Sequence, residues 1–513
     1  MTAPAPLAAR RSRPVRTEGM GMPMTRREFF GQAGAAAAAP AVGPFLLEHG
    51  RGGRRRRPSI VLVIADDWSW PHAGVYGDRA VGTPAFDRLA REGVLFTRAY
   101  CAAPSCTPSR GAILTGQMFC RLRQAANLWS TFPADLAVYP DLLEGAGYAV
   151  GLTGKGWGPG TVAPPRTRNP AGPPVKNFRD FLKGAAQDRP FCYWFGSPDP
   201  HRPYAKGSGA RSGKRIEDVA VPPYLADSPE VRSDILDYYA EVERFDGQVG
   251  AIVKDLQDAG RLDETLLVVT SDNGWPFPRG KTTLYDSGCR MPMVVRWGEA
   301  PAGRTVEDFV DLADLAPTFL EAAGLDVPRD VTARSLLDLL VGGKSGRVDP
   351  KRDAAVVGRE RHHGAARPGQ LGYPSRAIHT AEFLYVRNFE PGRGPAGEPG
   401  TETWPGDDTV GGYADVDGGP TKAWMWQHRG DPAVKAVWDL AVARRPAEEL
   451  YDLKKDPHQV ANVAGRPEYA APQKALADRL AAYLRETGDP RIVGGGEPFD
   501  EYPYVGTMPK AAK

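Results

Sequence analysis

An α/β fold is what this sequence of 513 residues predicts: a large mixed, mostly parallel sheet sandwiched by helices, with a smaller C-terminal α+β domain. Three observations lead there. The strand-like runs are continuously apolar, strands alternate with helices over most of the chain, and shorter strands with late helices follow residue 373. A strand covered on both faces has no polar side, so a continuous apolar run marks a parallel sheet between helical layers. Composition agrees, with 42% hydrophobic and 25% charged residues excluding disordered, collagenous and integral membrane classes. The 59 glycines and 49 prolines call for many loops around that core.

Residues 59–65 (SIVLVIA) form the first buried strand, which stops at Asp66-Asp67. Thr83-Pro84 opens a helix, because the fixed φ of proline suits a first turn; residues 85–92 keep the helical period and Gly93 ends it before a strand at 94–100. The alternation continues through 139–146, 148–152, 191–195, a long helix at 230–259 and a strand at 265–270. Segments 158–174 and 391–420 are loops rich in Pro and Gly. Strands at 376–380 and 383–388 and helices at 431–443 and 468–485 make up the C-terminal part. The expected organisation is a leader with linker at 1–57, a catalytic α/β domain at 58–372 and the α+β domain at 373–513.

The net charge of +3 is carried by the first 57 residues, whose eleven arginines and three glutamates leave −5 on the rest. Such a body is no nucleic-acid binder, so an anionic ligand must be met by a few placed cations. Thr25-Arg26-Arg27-Glu28-Phe29-Phe30 and the Ala-rich stretch 31–47 resemble a twin-arginine export signal, implying the export machinery as partner and a periplasmic or secreted location. Gln32, Pro40 and Pro44 interrupt the stretch, so no transmembrane anchor is expected. Five cysteines (101, 106, 120, 192, 289) with no CxxC pair argue against a disulfide framework or a zinc site.

Asp66-Asp67 ends the first strand, and Ser271-Asp272-Asn273-Gly274 follows a second strand of the same kind. Either alone is an ordinary turn after a strand. Ligands of open α/β sheets bind at the carboxyl ends of strands, so the two can converge, and four oxygen donors suit Ca²⁺ or Mg²⁺ better than zinc. Cys106-Thr107-Pro108-Ser109-Arg110 precedes GAILTG, and a helix starting near Pro108 would aim amides and Arg110 at an anion. Alone, Cys106 could be an inert buried thiol.

The CTPSR run with GAILTG resembles the signature of the sulfatase family, whose fold is alkaline phosphatase-like. The resemblance extends through TPAFDRL at 83–89 and Thr153-Gly154-Lys155. Asp199-Pro200-His201-Arg202, Asp272 to Pro278 with Lys281-Thr282-Thr283-Leu284-Tyr285, Arg361-His362-His363, and Glu449-Leu450-Tyr451-Asp452 with Asp456-Pro457-His458 resemble the heparan N-sulfatase branch, the Asp272 to Tyr285 run being the most specific to it.

The resemblance implies hydrolysis of sulfate esters or sulfamates of sulfated glycans of N-sulfoglucosamine type. It implies that a formylglycine-generating enzyme converts Cys106 to Cα-formylglycine, and that Asp66, Asp67, Asp272 and Asn273, with residue 106, hold the divalent cation. Arg110, Lys155 and Lys281 become the cations on the sulfate oxygens, His201 the acid for the leaving group, and Arg202, His362 and His363 substrate contacts. Two places depart from the pattern. Lys281 stands where animal N-sulfatases have Arg, which removes a bidentate fork. Many sulfatases carry, two residues after the lysine matched to Lys155, a histidine credited with expelling sulfate; here it is Trp157, and indole cannot act as a base. The alternatives are an O-sulfatase for another glycan, a phosphonate or phosphodiester hydrolase of the same superfamily, and a silent glycan-binding relative.

Overall fold

A computed structural model describes residues 57–400 and 412–506. The arginine-rich leader, Trp404 and residues 401–411 of the Pro/Gly-rich loop lie outside the described residues. The large sheet is built from β1 (Ser59–Ala65), β2 (Val94–Tyr100), β4 (Ala149–Gly154), β6 (Phe191–Gly196), β7 (Thr265–Ser271), β8 (Arg290–Arg296), β9 (Arg304–Val306) and β10 (Val310–Asp311). Its order is β10-β2-β8-β7-β1-β6-β4, with β9 also on β2. β4, β6, β1 and β7 run parallel, and β8 is antiparallel to both β7 and β2. The mixed, mostly parallel sheet read from the apolar runs is therefore the fold.

β1 shows why its sequence is apolar throughout. Ile60, Leu62 and Ile64 enter one hydrophobic core, Val61, Val63 and Ala65 the other, and all six are buried. The second core is covered by the helix Pro229–Asp258, which starts on Pro229 with the Ser228 side chain capping the Val231 amide. The first core continues without a break into a four-stranded antiparallel sheet, β11 (Ala354–Arg359), β12 (Ser375–Thr380), β13 (Phe383–Asn388) and β14 (Glu448–Asp452). That sheet begins at Ala354, ahead of the compositional change at residue 373, and Val357, Ile378 and Leu384 bury into the core that holds Ile60 and Leu62. The 158–174 segment, expected as loop only, contributes β5 (Gly160–Val162), paired with β3 (Ser130–Phe132). No helix among the described residues is long and apolar enough to cross a membrane.

Candidate active site

The carboxyl ends of β1 and β7 are adjacent because the two strands pair in register, Ala65 beside Ser271. Their loops therefore emerge side by side at the edge of the sheet where ligands bind. Neighbouring residues on a strand face opposite ways, yet both Asp66 and Asp67 reach one centre. The backbone solves this by leaving the strand at Asp67, whose φ of 76° lies in the left-handed region that Asp tolerates. Asp66, Asp67, Asp272 and Cys106 then bring ligand atoms within 4.8 Å of one another, and all four are buried.

Cys106 belongs to a helix, Cys106–Thr115, that begins two residues earlier than expected from Pro108. Proline is tolerated there because the first-turn amides have no partner inside the helix. Ser105 occupies the capping position but does not cap; its hydroxyl meets His362 Nδ1 at 2.8 Å, which leaves the helix start open toward the carboxylates. Burial pushes the Cys106 thiol well above its ordinary pKa, so an unmodified cysteine here is a poor nucleophile.

The donor set fits a hard divalent cation. Three buried carboxylates without one would repel, and the Asn273 carboxamide oxygen is buried without a hydrogen-bond partner while its nitrogen donates to Asp67 Oδ1 at 2.6 Å. An orphaned oxygen beside three carboxylates is what an oxygen-coordinated ion such as Ca²⁺ or Mg²⁺ requires. Burial raises the pKa of Asp272, with Arg110 opposing. For Asp66 burial acts the same way but is outweighed by Lys155, His201, Arg110 and Lys281, which hold it well below the ordinary carboxylate range.

The expected cations divide into two kinds. Arg110 is wholly buried one turn below Cys106, with Nε 2.7 Å from Asp272 Oδ2, Nη2 3.3 Å from Asp66 Oδ1, and Nη1 on the Lys155 and Gly156 carbonyls. Its guanidinium bridges two of the clustered carboxylates from beneath. Each lysine instead meets one of them. Lys155 Nζ lies 2.7 Å from both Asp66 oxygens with its side chain 25% exposed, and Lys281 Nζ lies 2.8 Å from Asp67 Oδ2 and 3.3 Å from Asp417 Oδ2. Burial alone would depress both ammonium groups, but Asp66 for Lys155, and Asp417 and Asp67 for Lys281, raise them, so both stay charged.

His201 sits at the mouth, its side chain 38% exposed, with Nδ1 donating to the Arg202 carbonyl at 2.6 Å and Nε2 3.8 Å from Asp67 Oδ2. Arg202, expected against substrate, instead forks onto Asp234 at 2.9 and 2.7 Å and lies over Tyr204 and Phe277. It fixes the His201 loop rather than a ligand. His362 is buried under the Cys106 helix, and burial drives its pKa down to about 3, so it is a neutral packing partner of Ser105. His363 turns toward Tyr504 and accepts the Ala365 amide, while its own amide donates to Asp415. The two histidines follow β11 in irregular backbone rather than on a strand. Trp157 is buried against Phe132 and abuts the Cys106 helix at Gly111, where an added Cβ would meet its Nε1 at 3.4 Å.

Asp417 joins the site without belonging to any motif. Asp417 brings a carboxylate oxygen within 4.8 Å of ligand atoms of Asp67 and His201. It arrives from the segment before the helix Pro420–Gln427, and nothing in ADVDGGP distinguishes it from a solvated turn.

Fold and site together define a hydrolase of the alkaline phosphatase-like α/β class, with a buried oxygen-donor centre beneath two lysines. The comparisons narrow the class. The family model "Sulfatase" matches residues 58–159 and 174–325. The chain is 31% identical over 509 residues to N-sulphoglucosamine sulphohydrolase of Homo sapiens, covering 86% of this chain and 92% of that protein. Two solved structures share the fold. One, in complex with its substrate D-glucosamine-2-N,6-O-disulfate, has a TM-score of 0.60 at 21% identity over 85% of this chain and 99% of its own. The other, a phosphonate monoester hydrolase of Agrobacterium radiobacter, has a TM-score of 0.60 at 19% identity over 84% and 96%. The chain belongs to the sulfatase family.

Proposed function

We propose that this sulfatase hydrolyses sulfate monoesters or sulfamates of sulfated glycans, with N-sulfoglucosamine units as its substrate class. The observation that carries the reading is the buried Asp66, Asp67, Asp272 and Cys106 cluster with the unpartnered Asn273 oxygen, open toward Lys155, Lys281 and His201. The similarity to N-sulphoglucosamine sulphohydrolase supports the substrate class.

Asp66, Asp67, Asp272, Asn273 and residue 106 would hold Ca²⁺ or Mg²⁺, and the ion together with formylglycine at position 106 supplies an oxygen nucleophile. The chain's own residues do the rest. Lys155 and Lys281 hold sulfuryl oxygens, and the uncapped start of the Cys106 helix adds amide donors. Arg110 fixes Asp66 and Asp272 from below. His201, with Nδ1 engaged by a carbonyl, presents Nε2 to the departing atom and protonates it. A formylglycine-generating enzyme and the twin-arginine route complete the reading, placing the mature protein in the periplasm or outside the cell.

Trp157 and Lys281 favour one second reading, an O-sulfatase for a different sulfated polysaccharide. Protein made in a host able to form formylglycine, analysed by the mass of peptide 99–110 and by turnover of N-sulfoglucosamine and 4-nitrophenyl sulfate, tests both. Exchange of the Cys106 sulfur and two hydrogens for one oxygen, with turnover of either compound, supports sulfatase action. A modified protein that hydrolyses phenyl phosphonates faster than either would overturn it.

A further inference from the structure

We infer that Asp417 is a specificity-determining residue that favours an N-linked over an O-linked sulfuryl group, accepting the sulfamate N–H and then pairing with the ammonium it becomes. The inference rests on the N-sulfoglucosamine reading above and deepens it.

The first observation is that Asp417 is placed, not incidental. Its neighbour Asp415 is clamped between Arg359 and Arg367, the distance to Arg367 being 2.7 Å, and the Asp415 carbonyl accepts the Thr282 hydroxyl at 2.9 Å. The Val416 carbonyl accepts Lys422 Nζ at 2.8 Å. These bonds pin a segment of the C-terminal part to the residue next to Lys281, so Asp417 is held at the mouth by the two residues before it. Its side chain remains 22% exposed there.

The second observation is an acceptor oxygen without a directed hydrogen bond. Asp417 Oδ2 is shielded from solvent and has no aligned hydrogen bond, although Lys281 Nζ lies 3.3 Å away. His201 Nε2 faces the same space, because Nδ1 is taken by the Arg202 carbonyl. Asp417 therefore stands beside the group that meets the leaving atom.

The chemistry of the two substrate classes differs at that atom. A sulfate ester bridges sulfur and carbon through an oxygen that has only lone pairs, and a carboxylate beside it repels. A sulfamate bridges through nitrogen that carries a proton, and a carboxylate accepts it. The products differ in the same sense. For a sulfamate, R–NH–SO₃⁻ and water give R–NH₃⁺ and SO₄²⁻: the S–N bond breaks, the water oxygen ends on sulfur, and both water protons end on nitrogen. For an ester the leaving group is a neutral alcohol. Positive charge develops beside Asp417 only when the leaving atom is nitrogen, so Asp417 stabilises that departure and not the other.

The test uses the full chain with modified Cys106, and compares kcat/KM for N-sulfoglucosamine with that for 4-nitrophenyl sulfate in wild type and Asp417→Asn. The ratio is expected to fall about ten-fold or more, mainly through kcat, since a hydrogen bond to a charged group is lost. A ratio that stays within about two-fold of wild type, with both rates falling together, would show that Asp417 only holds Lys281 and overturns the inference. If Asp417→Asn does not fold, inhibition of the wild-type aryl sulfatase reaction decides: glucosamine must inhibit at about ten-fold lower concentration than N-acetylglucosamine, and equal inhibition overturns it. Wild type that hydrolyses only 4-nitrophenyl sulfate also overturns it while leaving the sulfatase assignment in place, whereas wild type that hydrolyses neither compound fails the underlying reading instead.

Discussion

Replacing Arg110 by Met removes a cation buried beneath the clustered carboxylates while keeping an unbranched, apolar stem. Asp272 Oδ2 loses its partner at 2.7 Å, Asp66 loses a second donor at 3.3 Å, and the Lys155 and Gly156 carbonyls are left without the guanidinium. Breaking a fully buried pair on one side costs about 3–5 kcal/mol, because the remaining charge stays out of water. An unfolding entropy of about 2.1 cal/mol/K per residue gives roughly 1 kcal/mol/K for a chain of 513 residues, so Tm should drop by about 3–5 °C. The measurement is thermal unfolding in EDTA and in saturating Ca²⁺. A bound dication compensates the exposed carboxylates and binds the more negative site more tightly, so the gap between variant and wild type must narrow with calcium. A variant within about 1 °C of wild type in EDTA, or a gap that calcium leaves unchanged, would refute the assignment of Arg110 to the carboxylates.

Cys106→Ala should abolish turnover of every sulfated substrate while Tm stays close to wild type; residual activity near wild type would remove residue 106 from the mechanism. Stripping metal with EDTA should lower Tm and activity together, with Ca²⁺ or Mg²⁺ restoring both, and Asn273→Ala should weaken the calcium-induced Tm rise, since the unpartnered oxygen is then gone. His362 has its pKa depressed from 6.5 to about 3 by burial, so its contribution to stability is complete above pH 6.5 and is lost as pH falls toward 3. His362→Asn should therefore flatten the acid limb of urea midpoint against pH by about one proton, and an unchanged slope would refute the neutral, buried histidine. Gly196→Ala places a Cβ 1.8 Å from the Lys155 carbonyl oxygen, so it should lower Tm and kcat/KM together by displacing that lysine.

Much of the fold was legible because it depends on local pattern. The run SIVLVIA needs both faces buried, and β1 indeed feeds two cores. Thr83-Pro84 and Gly93 set the limits of the helix Pro84–Glu92. The motif residues Asp66, Asp67, Asp272, Asn273 and Cys106 were legible for a related reason: each sits within a short segment whose spacing is itself the signal.

What tertiary structure alone decided was how charges are shared. Arg110 follows Cys106 by one helical turn, a relation the sequence shows, but only the fold puts Asp272 against its Nε. Arg202 adjoins His201 in sequence, yet Asp234 on the long helix claims its guanidinium. Asp417 has no motif at all, and it reaches Lys281 because the segment before Pro420 is pinned beside Thr282. The sequence by itself determined which residues can carry a cation and a nucleophile, since that is a property of side-chain type and local spacing. Which charge neutralises which depends on distances between segments far apart in the chain, and those distances exist only once the two sheets share a core.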